Sequence, residues 1–184
     1  MTRGWLLAGL AIAIATIVTV NVSHFKTPEL DTIHAGIEAT YPRVEHIAAE
    51  DFVAQSPAQL VVFDVRRPEE YNVSHLPGAI LVDPDTNKDE FADRFGPMLE
   101  GKRAVFYCSV GVRSSIMAER VADLVEERTQ SAPLNLIGGL FQWSNDGRIM
   151  TTPAGTNTRA IHPYDNFWGR LIDNQDMISR PGGS

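Results

Sequence analysis

Ala104-Val105-Phe106-Tyr107-Cys108-Ser109-Val110-Gly111-Val112-Arg113-Ser114 contains the only cysteine of the chain and decides its architecture. The run begins with uncharged, β-prone residues, passes through a short loop, and opens at Ser114 into a stretch with helical spacing. It reads as a buried strand, a turn and a helix. In that setting the Cys108 thiol lies among backbone N–H groups and at the positive end of a helix dipole, with Arg113 closing the ring. Such a place suits a small anion and an anionic sulfur. Cys108 is therefore the candidate nucleophile, and Ser109, Val110, Gly111, Val112 and Arg113 are the candidate substrate-binding residues. Gly111 allows a close backbone approach or a positive φ that a side chain would penalise.

Outward from this loop the strand character recurs. Leu60-Val61-Val62-Phe63-Asp64-Val65, Ala79-Ile80-Leu81-Val82 and Leu134-Asn135-Leu136-Ile137 each read as a strand covered on both faces. A shorter strand is expected over residues 44–47, followed by a helix over 48–55 that Ser56-Pro57 stops. Residues 89–99 and 114–128 are helix-permissive, and in the second Met117, Val121, Leu124 and Val125 recur at helical spacing. Alternating strands and helices predict a three-layer α/β/α fold with a central, mainly parallel sheet of four or five strands. Ligands in such sheets bind beyond the carboxyl ends of the strands, where Cys108 falls. Further on, a short helix is expected over 140–145, a loop over 151–157 and a last helix over 162–172, with Pro181-Gly182-Gly183 fraying.

The first 25 residues are of another kind. Residues 4–20 carry no charge and are almost wholly apolar, and a spanning helix needs roughly 20 apolar residues. One N-terminal transmembrane anchor is expected, contacting the lipid bilayer; the rival reading is a cleaved signal peptide, since Ala11-Ile12-Ala13 and Ala13-Ile14-Ala15 resemble small-residue cleavage sites. Arg3 precedes the span, while His24 and Lys26 follow it and then Glu29 and Asp31. The positive-inside rule tilts the body towards the exported, periplasmic or extracytoplasmic side. Residues 26–43 form a linker with a connecting helix over 29–40.

Sixteen Lys+Arg against 23 Asp+Glu make the chain acidic, at a net −7. That balance argues against a nucleic-acid partner. A lone cysteine excludes an internal disulfide. His24, His34, His46 and His162 are scattered and form no metal pattern. With no Walker loop and no dinucleotide fingerprint, no cofactor is expected.

Four pieces, in this order, resemble the single-domain rhodanese-like sulfurtransferases. They are Asp64-Val65-Arg66 with Glu70-Tyr71, His75-Leu76-Pro77-Gly78-Ala79, the loop from Cys108 to Arg113, and Gly138-Gly139 with Trp143. The likeness covers residues 44–149 and leaves 150–184 as a C-terminal extension. Ser74 departs from the family pattern, which has glycine before the histidine; the departure touches a turn and not the chemistry. The resemblance implies that Cys108 takes the outer sulfur of a small donor, thiosulfate or a persulfide. It would hold that sulfur as a persulfide and pass it to a thiol or cyanide acceptor, a protein thiol included. Arg113 would face the substrate or a bracing carboxylate, Asp64 or Glu70. Asp64 and Arg66 would support the loop, His75 would fix a turn, and Trp143 and Trp168 would pack.

Two other readings share the scaffold. The first is a cysteine-based phosphatase or arsenate reductase; the phosphatases use a ring one residue longer, with histidine before the cysteine. This chain has four residues between Cys108 and Arg113, and Tyr107 before the cysteine. A non-catalytic binding module at the membrane would need neither Cys108 nor Arg113. Ser109, Val110 and Val112 bring no second cation to the loop, so modest activity with thiosulfate is expected.

Overall fold

The computed structural model describes residues 29–180. The anticipated anchor, the signal-peptide alternative and the fraying C-terminal residues lie outside them. Among the described residues no helix is long and apolar enough to cross a membrane.

The chain opens with helix α1 (Leu30–Thr40), strand β1 (Glu45–Ile47) and helix α2 (Ala49–Ala54). Next come β2 (Leu60–Asp64), α3 (Pro68–Val73), β3 (Ile80–Leu81), α4 (Lys88–Phe95) and β4 (Arg103–Tyr107). Helices α5 (Val112–Arg120) and α6 (Ala122–Thr129) lead to β5 (Leu134–Leu136) and α7 (Gly139–Asn145). The five strands form one sheet in the order β1-β5-β4-β2-β3, every pair parallel. The sheet is thus five-stranded and wholly parallel, with the strands where hydrophobic runs place them.

Both faces of the sheet are buried, which is why β2 and β4 read as continuous apolar runs. Val62, Val105, Tyr107, Leu134 and Leu136 face a core completed by Leu140, Phe141 and Trp143. Val61, Phe63, Ala104 and Phe106 face the other, against Phe91, Phe95, Met117, Val121 and Val125. Alternate residues of one strand therefore serve opposite layers, and the register Phe63↔Phe106 and Asp64↔Tyr107 aligns them. Phe63 meets Phe91 edge-on at 5.2 Å between ring centroids. Each such buried aromatic contributes roughly 1.5–3 kcal/mol.

Three expectations change. The helix anticipated over 114–128 starts earlier, at Val112, and is broken at Val121 (φ −109°, ψ 10°) into α5 and α6. Val121 stays buried at the break, so the apolar spacing that suggested one continuous helix is satisfied by two. The loop expected at 151–157 is the turn of an antiparallel hairpin, β6 (Met150–Thr151) with β7 (Asn157–Thr158). No helix spans 162–172. Pro163 lacks an N–H, and Tyr164 adopts a left-handed φ of +64°, so only a 3₁₀ turn forms, at Trp168–Leu171. Backbone pairing of Ile161 with Met177 and Ser179 holds this segment against the domain.

Candidate active site

Cys108 follows β4 directly, and Gly111 caps the helix that starts at Val112 with φ +98°. In that conformation the Gly111 N–H donates to Cys108 Sγ at 3.2 Å. A Cβ at Gly111 would lie 3.1 Å from both Asn135 Nδ2 and Ile37 Cδ1, so glycine suits both the turn and the packing of α1 and β5 against it. Ser115 Oγ donates to the Gly111 carbonyl at 2.8 Å, which ties the loop to the first turn of α5.

The other side of the loop is pinned by α7. Leu140 N–H donates to the Cys108 carbonyl and Phe141 N–H to the Ser109 carbonyl, each at 2.9 Å. Trans peptide planes place an N–H opposite each bound carbonyl, so the Ser109 and Val110 amides point away from α7. The close approach needs Gly139: a Cβ there would meet the Cys108 carbonyl oxygen at 2.5 Å and the Ser109 carbonyl carbon at 2.8 Å. Gly138-Gly139 is therefore part of the site's scaffold as well as a chain break.

Arg113 is paired with a carboxylate. Its Nη1 donates to Glu70 Oε2 at 2.6 Å and its Nη2 to Glu70 Oε1 at 2.8 Å. Ser109 Oγ donates to the same Oε1 at 2.9 Å, and the Arg67 N–H to Oε2 at 3.1 Å. Glu70, on α3, thus grips both ends of the Cys108 loop. Burial pushes the Glu70 carboxyl up, but hydrogen bonds and charge from Arg113, helped by Arg66, hold it below the usual value. Burial likewise opposes the Arg113 charge, yet the Glu70 hydrogen bonds and attraction to the Cys108 sulfur raise its pKa.

Asp64 and Arg66 form a separate brace beneath. Arg66 Nε donates to Asp64 Oδ1 at 2.8 Å, and Arg66 Nη2 to Asp64 Oδ2 at 2.7 Å and to the Ser74 carbonyl at 2.6 Å. Tyr107 Oη donates to Asp64 Oδ2 at 2.6 Å and accepts from the Leu76 N–H at 3.0 Å. Burial first, and then Asp64, push the Tyr107 phenol well above its ordinary pKa, so it remains a donor. Asp64, Arg66 and Tyr107 are solvent-free, which makes their role structural. His75 stacks on Tyr71 at 3.7 Å and bridges to Thr151, a turn-fixing position. Ser74 has φ −169°, extended backbone that needs no glycine.

A cavity of about 290 Å³ opens above the loop, lined by Cys108, Ser109, Val110, Val112, Arg113, Tyr164 and Trp168. Cys108 is only 1% exposed, but it is one of the residues that line this cavity. Tyr164 and Trp168 were not expected here. Trp168 read as packing and Tyr164 carried no signal, because nothing local says that the C-terminal segment returns over the Cys108 loop. Glu70 was one of two possible partners for Arg113, and the sequence alone left the choice open; Pro68 two residues before it marks a helix start that could have pointed to it.

The rhodanese-like domain family matches residues 48–146, more than half of the chain. Two curated relatives, the tRNA uridine(34) hydroxylases of Oceanobacillus iheyensis and Bacillus velezensis, are 30% and 26% identical over 108 residues, which is 57% of this chain. The match covers 32% of each relative, so the chain spans about a third of their length. The thiosulfate sulfurtransferase structure from Pseudomonas aeruginosa is 22% identical with a TM-score of 0.50, over 76% of this chain and 25% of that one. This last likeness speaks to fold alone.

Proposed function

The chain belongs to the rhodanese-like domain family, and from that premise we propose that it transfers sulfane sulfur through Cys108. The observation that carries the reading is the Gly111 N–H held 3.2 Å from Cys108 Sγ in a loop whose arginine is already tied to Glu70. A thiolate attacks the outer sulfur of a donor R–S–S⁻; the donor's S–S bond breaks, R–S⁻ leaves, and Cys108 carries the persulfide. A thiolate acceptor or cyanide then attacks the terminal sulfur and releases Cys108 as thiolate. Backbone N–H groups around the sulfur stabilise the anion at both stages without reorganising. The phosphatase and arsenate-reductase reading is disfavoured, since Arg113 is spent on Glu70. Carrying tRNA hydroxylation over from the longer relatives is opposed by the acidic charge balance, because a polyanion would be repelled.

Incubating the protein with a persulfide or thiosulfate donor should add the mass of one sulfur to the Cys108 peptide, and cyanide or a thiol should remove it. An unmodified Cys108 after exposure to several donors, with hydrolysis of an aryl phosphate, would replace this reading with the phosphatase one.

The apolar run at residues 4–20 is proposed to tether the domain to a membrane, with its body exported. The full chain should sediment with membranes through an alkaline carbonate wash, and protease added outside intact cells after outer-envelope permeabilisation should digest it. Release by carbonate would remove the tether; protection from protease would reverse the orientation.

A further inference from the structure

Residues 161–180 lie beyond the family match, which ends at 146, yet they supply Tyr164 and Trp168 to the cavity over Cys108. The placement is built rather than incidental. Tyr164 takes a φ of +64°, an uncommon conformation for a bulky residue. Its N–H donates to His162 Nδ1 at 3.1 Å, and its ring lies under the Arg113 guanidinium at 4.8 Å. Behind it, Gly169 admits Pro163 so closely that a Cβ there would lie 2.8 Å from the proline Cβ. Asp165 Oδ1 accepts from the Phe167 and Trp168 N–H groups at 2.8 and 2.9 Å, setting the turn that presents Trp168.

Beyond the reacting sulfur, the cavity wall thus consists of Val110, Val112, Tyr164 and Trp168, plus Ser109, whose hydroxyl donates to Glu70, and an arginine whose charge Glu70 answers. A dianion such as thiosulfate gains only the loop amides there and leaves the apolar wall wet. An apolar cavity of about 150 Å³ accepts a benzene ring, and this one measures about 290 Å³. We propose that Tyr164 and Trp168 are specificity-determining residues that select an organic sulfane-sulfur donor, a persulfide or thiosulfonate with a single aromatic ring as its body. This rests on the sulfur-transfer reading above. The donor's anionic sulfur end points to the Cys108 loop and its apolar body fills the space against the two aromatic side chains. With a thiosulfonate, Cys108–S⁻ and R–SO₂–S⁻ give Cys108–S–S⁻ and the sulfinate R–SO₂⁻, so atoms and charge balance.

Three donors with the same sulfane sulfur separate the possibilities: thiosulfate, methanethiosulfonate and benzenethiosulfonate, with cyanide as acceptor and the full chain in detergent. Benzenethiosulfonate should exceed methanethiosulfonate in kcat/KM by about tenfold or more, which corresponds to about 1.4 kcal/mol, and thiosulfate should be the poorest. The benzene-to-methane ratio cancels losses common to both donors. It should fall towards one in Tyr164→Ala and in Trp168→Ala, and stay near the wild-type value in Tyr164→Phe. Tyr164 is 45% exposed, so its truncation removes little packing and the variant folds. A wild-type ratio near one, a preference for thiosulfate, or an unchanged ratio in both alanine variants overturns the inference while sulfur transfer stands. No sulfur accepted from any of the three overturns the inference, and failure with a glutathione persulfide donor as well overturns both.

Discussion

Cys108→Ser is expected to lower sulfur transfer by at least about a thousandfold, since removing a covalent nucleophile forfeits the whole two-step route. The hydroxyl matches the thiol in shape and can still accept from the Gly111 N–H. The cost in stability should therefore be about 1 kcal/mol, and circular dichroism with a thermal melt will report it. The adduct of one sulfur should vanish with the turnover. Turnover retained in the serine variant would refute the assignment. The same comparison separates an enzyme from a module that merely carries the fold. In a binding module the wild-type thiol would resist iodoacetamide at neutral pH, although Cys108 lines a cavity. A catalytic thiol on that wall should be alkylated, and a donor added first should protect it.

The parallel sheet and the loop were legible because both are written locally. β2 and β4 are continuous β-prone runs, and two-faced burial demands that composition. The turn after Cys108 is announced by Gly111, whose φ of +98° only glycine adopts readily. What the sequence concealed lies in contacts between distant segments. Glu70 meets Arg113 across 43 residues, and no period or spacing encodes that approach. Tyr164 reaches the same arginine from a segment whose composition suggested a helix; Pro163 and the left-handed φ of Tyr164 break that helix, and the pairing of Ile161 with Met177 and Ser179 anchors the segment's start. The break at Val121 is hidden for the opposite reason. Two short helices that both pack on the sheet reproduce the apolar spacing of one long helix, so periodicity alone cannot find the joint.

Glu70→Ala tests whether the loop is held or merely shaped. The substitution strands the Arg113 guanidinium, whose side chain is 21% exposed, and leaves Ser109 Oγ without its carboxylate. Breaking a buried pair by removing one partner costs about 3 kcal/mol, which lowers Tm by roughly 6–12 °C for a domain of this size. Loss of loop position by an ångström lowers transfer about a hundredfold. Replacing both partners, as Glu70→Leu with Arg113→Met, removes the stranded charge and should recover most of the Tm. Transfer should stay depressed, since the loop then lacks its brace and the sulfur lacks a neighbouring cation. The pH dependence has a definite sign. The folded-state pKa of Glu70 lies below its unfolded value, which is about 4.3. Its contribution is therefore present above that value and is lost as pH falls through the folded one. The stability gap between wild type and Glu70→Ala, measured by urea denaturation, should be constant near neutrality and narrow on acidification below about pH 4. A gap that widens in acid, or a double variant as unstable as the single, would show that Glu70 does not hold the loop through charge.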